Sequence, residues 1–171
     1  MNGEQRLVLE LTCDLDAPRE QVFQALIEPA TLAAWWGPSG FTTPEIELDL
    51  QVGGGYRFGM QPPEGELFHL AGEFIEIDPP SLLVYTFRWE EPDPDDQETV
   101  VRLSLHARHD GTRVSLSQSE FATQARLTLH TDGWADSFVK LRQLFEAGAS
   151  RLDVAAQSLP SDGQAVPRGS L

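Results

Sequence analysis

Between residues 43 and 121 the chain alternates apolar and polar side chains in six successive segments, and the links between them are too short to hold a crossover helix. The segments lie near 43–50, 54–61, 67–78, 81–90, 98–108 and 112–121. Their connections carry turn chemistry: Gly53-Gly54, Pro62-Pro63-Glu64-Gly65, Asp78-Pro79-Pro80-Ser81 and His109-Asp110-Gly111. Strands joined this way must run antiparallel to their neighbours, so the middle of the chain is expected to be a meander. Such a sheet has one apolar face, and something else in the chain must cover it.

The flanks supply the cover. Residues 6–14 alternate as a further strand, and Asp16-Ala17-Pro18 reads as a helix start, with an acidic capping residue and proline in the first turn. Val22, Phe23, Leu26 and Ile27 form one apolar face. Pro29 opens a second short helix carrying Leu32, Trp35 and Trp36, which Gly37-Pro38 ends because proline restricts the residue before it. After the meander, Trp134, Phe138, Leu141 and Phe145 recur at helical spacing, with Leu144 flanking, in a helix expected from about Gly133 to Ala147. Gly148 suits the left-handed position after a helix end. The whole reads as α+β: a curved seven-stranded antiparallel sheet around a long C-terminal helix, with two short helices after the first strand.

With 171 residues, a 40% hydrophobic share and a formal net charge of −15, the chain suits one acidic domain, read as 1–148. The acidity argues against nucleic acid and anionic membrane surfaces, which select basic patches. No apolar run approaches the roughly 20 residues that cross a bilayer, so no membrane insertion is expected. The N-terminus lacks the pattern of a secretion signal, and a cytoplasmic location is the expectation. The lone Cys13 sits in a strand pattern and reads as a buried, inert thiol. Residues 149–171 read as a flexible tail, and Ala165-Val166-Pro167-Arg168-Gly169-Ser170 is similar to a thrombin-cleavage linker.

Several stretches carry a family resemblance: Ala17-Pro18-Arg19-Glu20-Gln21-Val22-Phe23, Trp35-Trp36-Gly37-Pro38, Glu47 to Phe58, Gly72 to Pro80, and Gly133-Trp134. In that order the chain resembles the START-like (SRPBCC, Bet v-like) superfamily, and within it the branch of homologues of the activator of the heat-shock-protein-90 ATPase. The resemblance implies a helix-grip fold with a cavity between sheet and long helix. Members differ in what they place there, and fold alone does not assign function.

Trp35, Trp36, Phe41, Phe58, Phe87, Trp89, Phe121, Trp134 and Phe138 are the rings available to line such a cavity or to fill the core. Trp36 and Phe41, beside the Gly-Pro break, are the expected rim. Adjacent helical residues point about 100° apart, so Trp35 and Trp36 are expected to divide anchoring and lining between them. His69 shares strand parity with Ala71, Ile75 and Ile77 and is expected inward; Gln118, in phase with Val114 and Leu116, is the better inward polar candidate. Arg57, Arg102 and His106 fall on the solvent side. The acidic stretch Glu90–Glu98 lacks the spacing of a calcium loop and reads as a solvated hairpin loop. No catalytic motif, metal site or cofactor is expected.

Three functions remain open on these grounds. The first is a binder of a small hydrophobic or amphipathic molecule, monomeric or homodimeric. The second is a chaperone-associated module that docks through the acidic loop. The third is a cyclase-, dehydratase- or hydrolase-like pocket enzyme in which His69 or Gln118 polarises the substrate.

Overall fold

The computed structural model describes the backbone of residues 6–158 and side chains as far as residue 146. The chain forms β1 (Leu9–Leu15), α1 (Arg19–Ile27), α2 (Pro29–Trp35), β2 (Thr42–Leu48), β3 (Gly55–Gln61), β4 (Phe68–Asp78), β5 (Leu82–Trp89), β6 (Thr99–Arg108), β7 (Gly111–Ser119) and α3 (Gln124–Ser158). The strands make one antiparallel sheet in the order β1-β7-β6-β5-β4-β3-β2. It is the expected meander, with the first strand returned to pair with the last. The helix-grip expectation holds: α3 lies on the concave face.

Strand alternation sorts the two faces. On β6 and β7, Val101, Leu103, Leu105, Val114 and Leu116 are buried together and pair in register, Leu103 opposite Leu116 and Leu105 opposite Val114. Arg102 and His106 lie outside, as parity requires. Against the inner face α3 sets Trp134, Phe138 and Leu141, all buried, with Leu144 and Phe145 at the margin. On β1, Asp14 stands opposite Arg113 and accepts from it at 2.8 Å and 3.0 Å, with Arg108 alongside. The Arg113 hydrogen bonds lead in pulling the Asp14 carboxyl down to about 2.

The two short helices plug one side of the core with Val22, Phe23, Leu26, Leu32 and Trp35. Glu28 closes α1 and opens α2, and the break falls where Pro29 fixes the first helical position. β2 pairs with β3 through a register shift between Thr42 and Glu45, where Pro44 falls outside the ladder.

Two expectations need correction. α3 starts at Gln124, nine residues before Gly133, and continues as helix through Gly148 to Ser158. Thr123 marks the start: its Oγ1 accepts the Arg126 N–H and its carbonyl the Leu127 N–H, as an N-cap does. Gly133 lies inside the helix, where it costs some propensity but does not stop it. Of the tail expected from 149, residues 159–171 lie outside the described residues. The other correction is His69. A bulge in β4, between Phe74 and Glu76 in the pairing with β5, leaves Ile75 half exposed and inverts the parity beyond it. Leu70 and Phe74 therefore point inward together with Ile77, while His69 takes the outer face.

Candidate functional site

Trp35 and Trp36 leave α2 in different directions. Trp35 is fully buried and its indole Nε1 donates to the Ala25 carbonyl at 2.9 Å, which ties α2 back onto α1. Trp36 already has extended backbone angles, φ −71° and ψ 136°. Gly37 follows at φ 102°, a left-handed value that suits glycine. The chain therefore turns sharply, and the Trp36 ring lies edge-on to Phe58 and Trp134 at centroid distances of 5.0 Å and 5.1 Å.

Segment 36–39 is fastened to α3. The Gly37 N–H donates to Ser137 Oγ at 3.0 Å, Ser137 Oγ faces the Gly37 and Gly133 carbonyls, and the Ser39 N–H donates to Asp136. Lys140 Nζ approaches the Trp36 and Pro38 carbonyls at 3.4 Å, and burial lowers its pKa. These contacts fix one wall of a pocket of about 310 Å³ between α3, segment 36–41 and the inner face of β3, β4 and β5. Its volume sits at the small end of the range for ligand sites.

The interior of that pocket is aromatic. Trp36, Phe41, Phe68, Phe87, Trp89 and Trp134 supply the rings, and Met60 and Pro38 fill between them. Phe68 contacts Phe41 and Trp89 at centroid distances of 6.2 Å and 5.3 Å, and Phe87 meets Trp89 edge-on at 5.2 Å. The mouth lies where lining residues reach solvent: Leu129 is 53% exposed, and the carboxylates of Glu91 and Asp93 stand beside it.

One polar chain crosses the wall. His130 Nδ1 lies 2.9 Å from the Arg126 carbonyl and must donate to it, because a carbonyl only accepts. Its Nε2 then accepts the Trp89 indole N–H at 3.2 Å. The pattern demands the neutral, Nδ1-protonated ring, and burial lowers its pKa in the same sense. One turn before His130, Arg126 is held by the acidic loop. Its Nη1 donates to Asp93 at 3.2 Å, and its Nε lies 2.8 Å from Asp96, though that N–H is not aimed at the carboxylate.

Of the residues singled out in the sequence, Trp36, Phe41, Phe87, Trp89 and Trp134 line this pocket. Trp35, Phe58 and Phe138 belong to the packed core instead, and Phe121 stacks behind His130 at 5.0 Å. Gln118 is fully buried but not free. Its amide donates to Thr99 and its carbonyl accepts the Trp134 indole N–H, both at 2.8 Å, so it positions a lining ring. His69, on the outer face, meets Glu45 at 2.9 Å. His69, Glu90 and Glu91 stand close enough to share a cation, but Glu90 is already held by Arg57 at 2.9 Å and 3.0 Å.

The acidic loop corrects its own expectation. Asp96 is 6% exposed against Arg126, and Asp95 accepts from Thr123, so the loop is stitched to the start of α3 and borders the mouth. Pro38, Met60, Phe68, Arg126, Leu129 and His130 were not anticipated as lining. The signal for His130 was present in the helical spacing Leu127, His130, Trp134, which continues the apolar stripe backwards.

The model of the family described as Activator of Hsp90 ATPase homolog 1-like protein matches residues 16–146. Among solved structures, a protein from Chromobacterium violaceum is 26% identical, with a TM-score of 0.76 over 82% of this chain and 97% of that one. The AHSA1 protein of Silicibacter pomeroyi is also 26% identical, with a TM-score of 0.72 over 82% of this chain and 99% of that one. A protein from Nitrosomonas europaea is 25% identical, with a TM-score of 0.71 over 84% and 97%. No curated protein matches the chain.

Proposed function

The chain belongs to the Activator of Hsp90 ATPase homolog 1-like family of the START-like superfamily, and on that premise we propose that it binds a small hydrophobic or amphipathic molecule between the sheet and α3. The observation that carries this reading is the aromatic pocket itself, about 310 Å³ and walled mainly by rings, whereas the space of about 260 Å³ beside Asp14, Asp16, Arg142 and Glu146 is lined mostly by charged side chains. Protein interiors ordinarily leave few voids larger than a water molecule. A space of this size, walled by rings and reaching solvent past Leu129, is what an apolar guest requires.

The chaperone-associated alternative placed its contact on the acidic loop. There Asp95 and Asp96 are already engaged by Thr123 and Arg126. The pocket-enzyme alternative relied on His69 or Gln118. The former is outside the cavity and the latter has both ends of its amide engaged.

Thermal denaturation against a panel of lipids, polyketides and aromatic metabolites tests the proposal. A ligand at a hundredfold excess over its Kd stabilises by about 2.7 kcal/mol, a shift of several degrees. The control is Gly133→Leu. Gly133 lines the pocket, and a Cβ there would meet only Pro38 Cγ at 3.6 Å, so leucine fills the space without opposing the helix. The ligand should raise the Tm of the wild type and leave the variant unmoved. Failure of every compound, or equal shifts in both proteins, refutes the reading.

A further inference from the structure

The polar groups around this pocket are unbalanced in charge. Three carboxylates, Glu91, Asp93 and Asp96, border it with one guanidinium, Arg126. Arg126 is neutralised where it stands, 2.8 Å from the buried Asp96 and 3.2 Å from Asp93. An anionic headgroup reaching it would stand beside both of those carboxylates. Glu91, by contrast, is 58% exposed and holds one backbone hydrogen bond, from the His69 N–H, with the His69 ring 3.8 Å away. Asp93 is 69% exposed and meets only the edge of Arg126 and its own loop. The mouth therefore presents surplus negative charge.

The interior points the same way. His130 is held neutral, and its one ring proton is given to Arg126 O. The Trp89 and Trp134 indole protons go to His130 and Gln118, and the Ser137 hydroxyl faces two carbonyls. What these residues offer a guest is aromatic faces, whose quadrupoles attract a cation and repel an anion. Phe41, Phe68 and Trp89 form a connected group of such rings along the wall. A low-dielectric cleft edged by one sign of charge concentrates ions of the other.

We infer that the occupant is an organic cation with an apolar body, an alkyl or aryl amine, seated with its ammonium at the Glu91–Asp93 rim and its hydrocarbon among the rings. The inference rests on the ligand-binding reading above and adds the sign of the guest's charge. It predicts a ranking within a series matched in length: amine above alcohol above carboxylate.

Titration of intrinsic tryptophan fluorescence with octylamine, octanol and octanoate at neutral pH measures that ranking, since Trp36, Trp89 and Trp134 are in the wall. At low ionic strength octylamine should bind about tenfold tighter than octanol, the sum of two exposed charge contacts, with octanoate weakest. In the Glu91→Gln/Asp93→Asn double variant the advantage of the amine over octanol should fall to about twofold, and added salt should do the same in the wild type. Octanol binding without preference for the amine, a carboxylate that binds as well, or a preference that survives the double substitution overturns the charge assignment and leaves the pocket reading standing. Binding by none of the three overturns both.

Discussion

His130 is the residue on which the pocket wall turns. Its two ring nitrogens face one acceptor and one donor, so only the neutral tautomer satisfies both. Protonation would set an Nε2–H against the Trp89 indole N–H. Burial, the leading cause, lowers the folded-state pKa below the ordinary histidine value. The unfolded chain then binds more protons at this site, and stability falls as pH drops through the ordinary range. Thermal unfolding at about pH 7.5 and about pH 5.5 should show a larger Tm loss for the wild type than for His130→Gln, whose amide retains a donor and an acceptor. Equal losses would remove His130 from the account. The same scale explains why Trp35 and Trp36 were separable in sequence: adjacent helical positions point about 100° apart, and the extended backbone of Trp36 carries its ring further from that of Trp35. The partner of the Trp35 indole was not readable, because Ala25 O lies across a helix break.

Among the elements, α3 holds segment 36–39 through Ser137, Asp136 and Lys140, and the Ser137 hydroxyl is the buried member of the three. Ser137 Oγ accepts the buried Gly37 N–H, and no neighbouring group replaces it. Ser137→Ala should cost about 1–3 kcal/mol, the penalty of an orphaned buried donor, while Ser137→Thr keeps the oxygen and recovers most of it. Urea denaturation at constant m-value reads both. The sheet was legible nearly to the residue because its signal is local: side-chain period two, interrupted by glycine and proline turns. Two things escaped. The first turns of α3 carry Arg126, Thr128 and Asp132 beside Leu127 and His130, a mixed pattern in which the backward continuation of the stripe through His130 and Leu127 is weak. The bulge at Ile75 has no glycine or proline to announce it, and one unseen bulge reverses the inferred side of every residue on the other side of it, His69 included.

For the whole molecule the dominant quantity is a formal net charge of −15. At low ionic strength the compact state bears that self-repulsion, and salt relieves it. Raising sodium chloride from about 0.01 M to about 0.15 M shortens the screening length from about 30 Å to about 8 Å. Calorimetry should show a higher Tm at the upper concentration; a flat or falling Tm would mean that the local ion pairs, such as Asp14 with Arg108 and Arg113, outweigh the long-range term. The candidate site was legible as a ring inventory but not as an electrostatic arrangement. Acidic loop, arginine and histidine come together only when the hairpin after β5 folds back onto the start of α3, a long-range contact that no window of sequence contains.

The displaced register at the start of β2 also bears on how these molecules behave toward one another when crowded. β2 is the last strand of the sheet, with no strand beyond it among the described residues. An open border of that kind invites a second copy to add on, and repetition of that step builds fibres. Here Pro44 offers no N–H for a visitor, the ladder is out of step beside it, and the exposed carboxylates of Glu45 and Glu47 stand close by, so approaching copies meet like charge at a broken template. The irregularity that looks like a flaw in the strand acts as its guard against self-assembly.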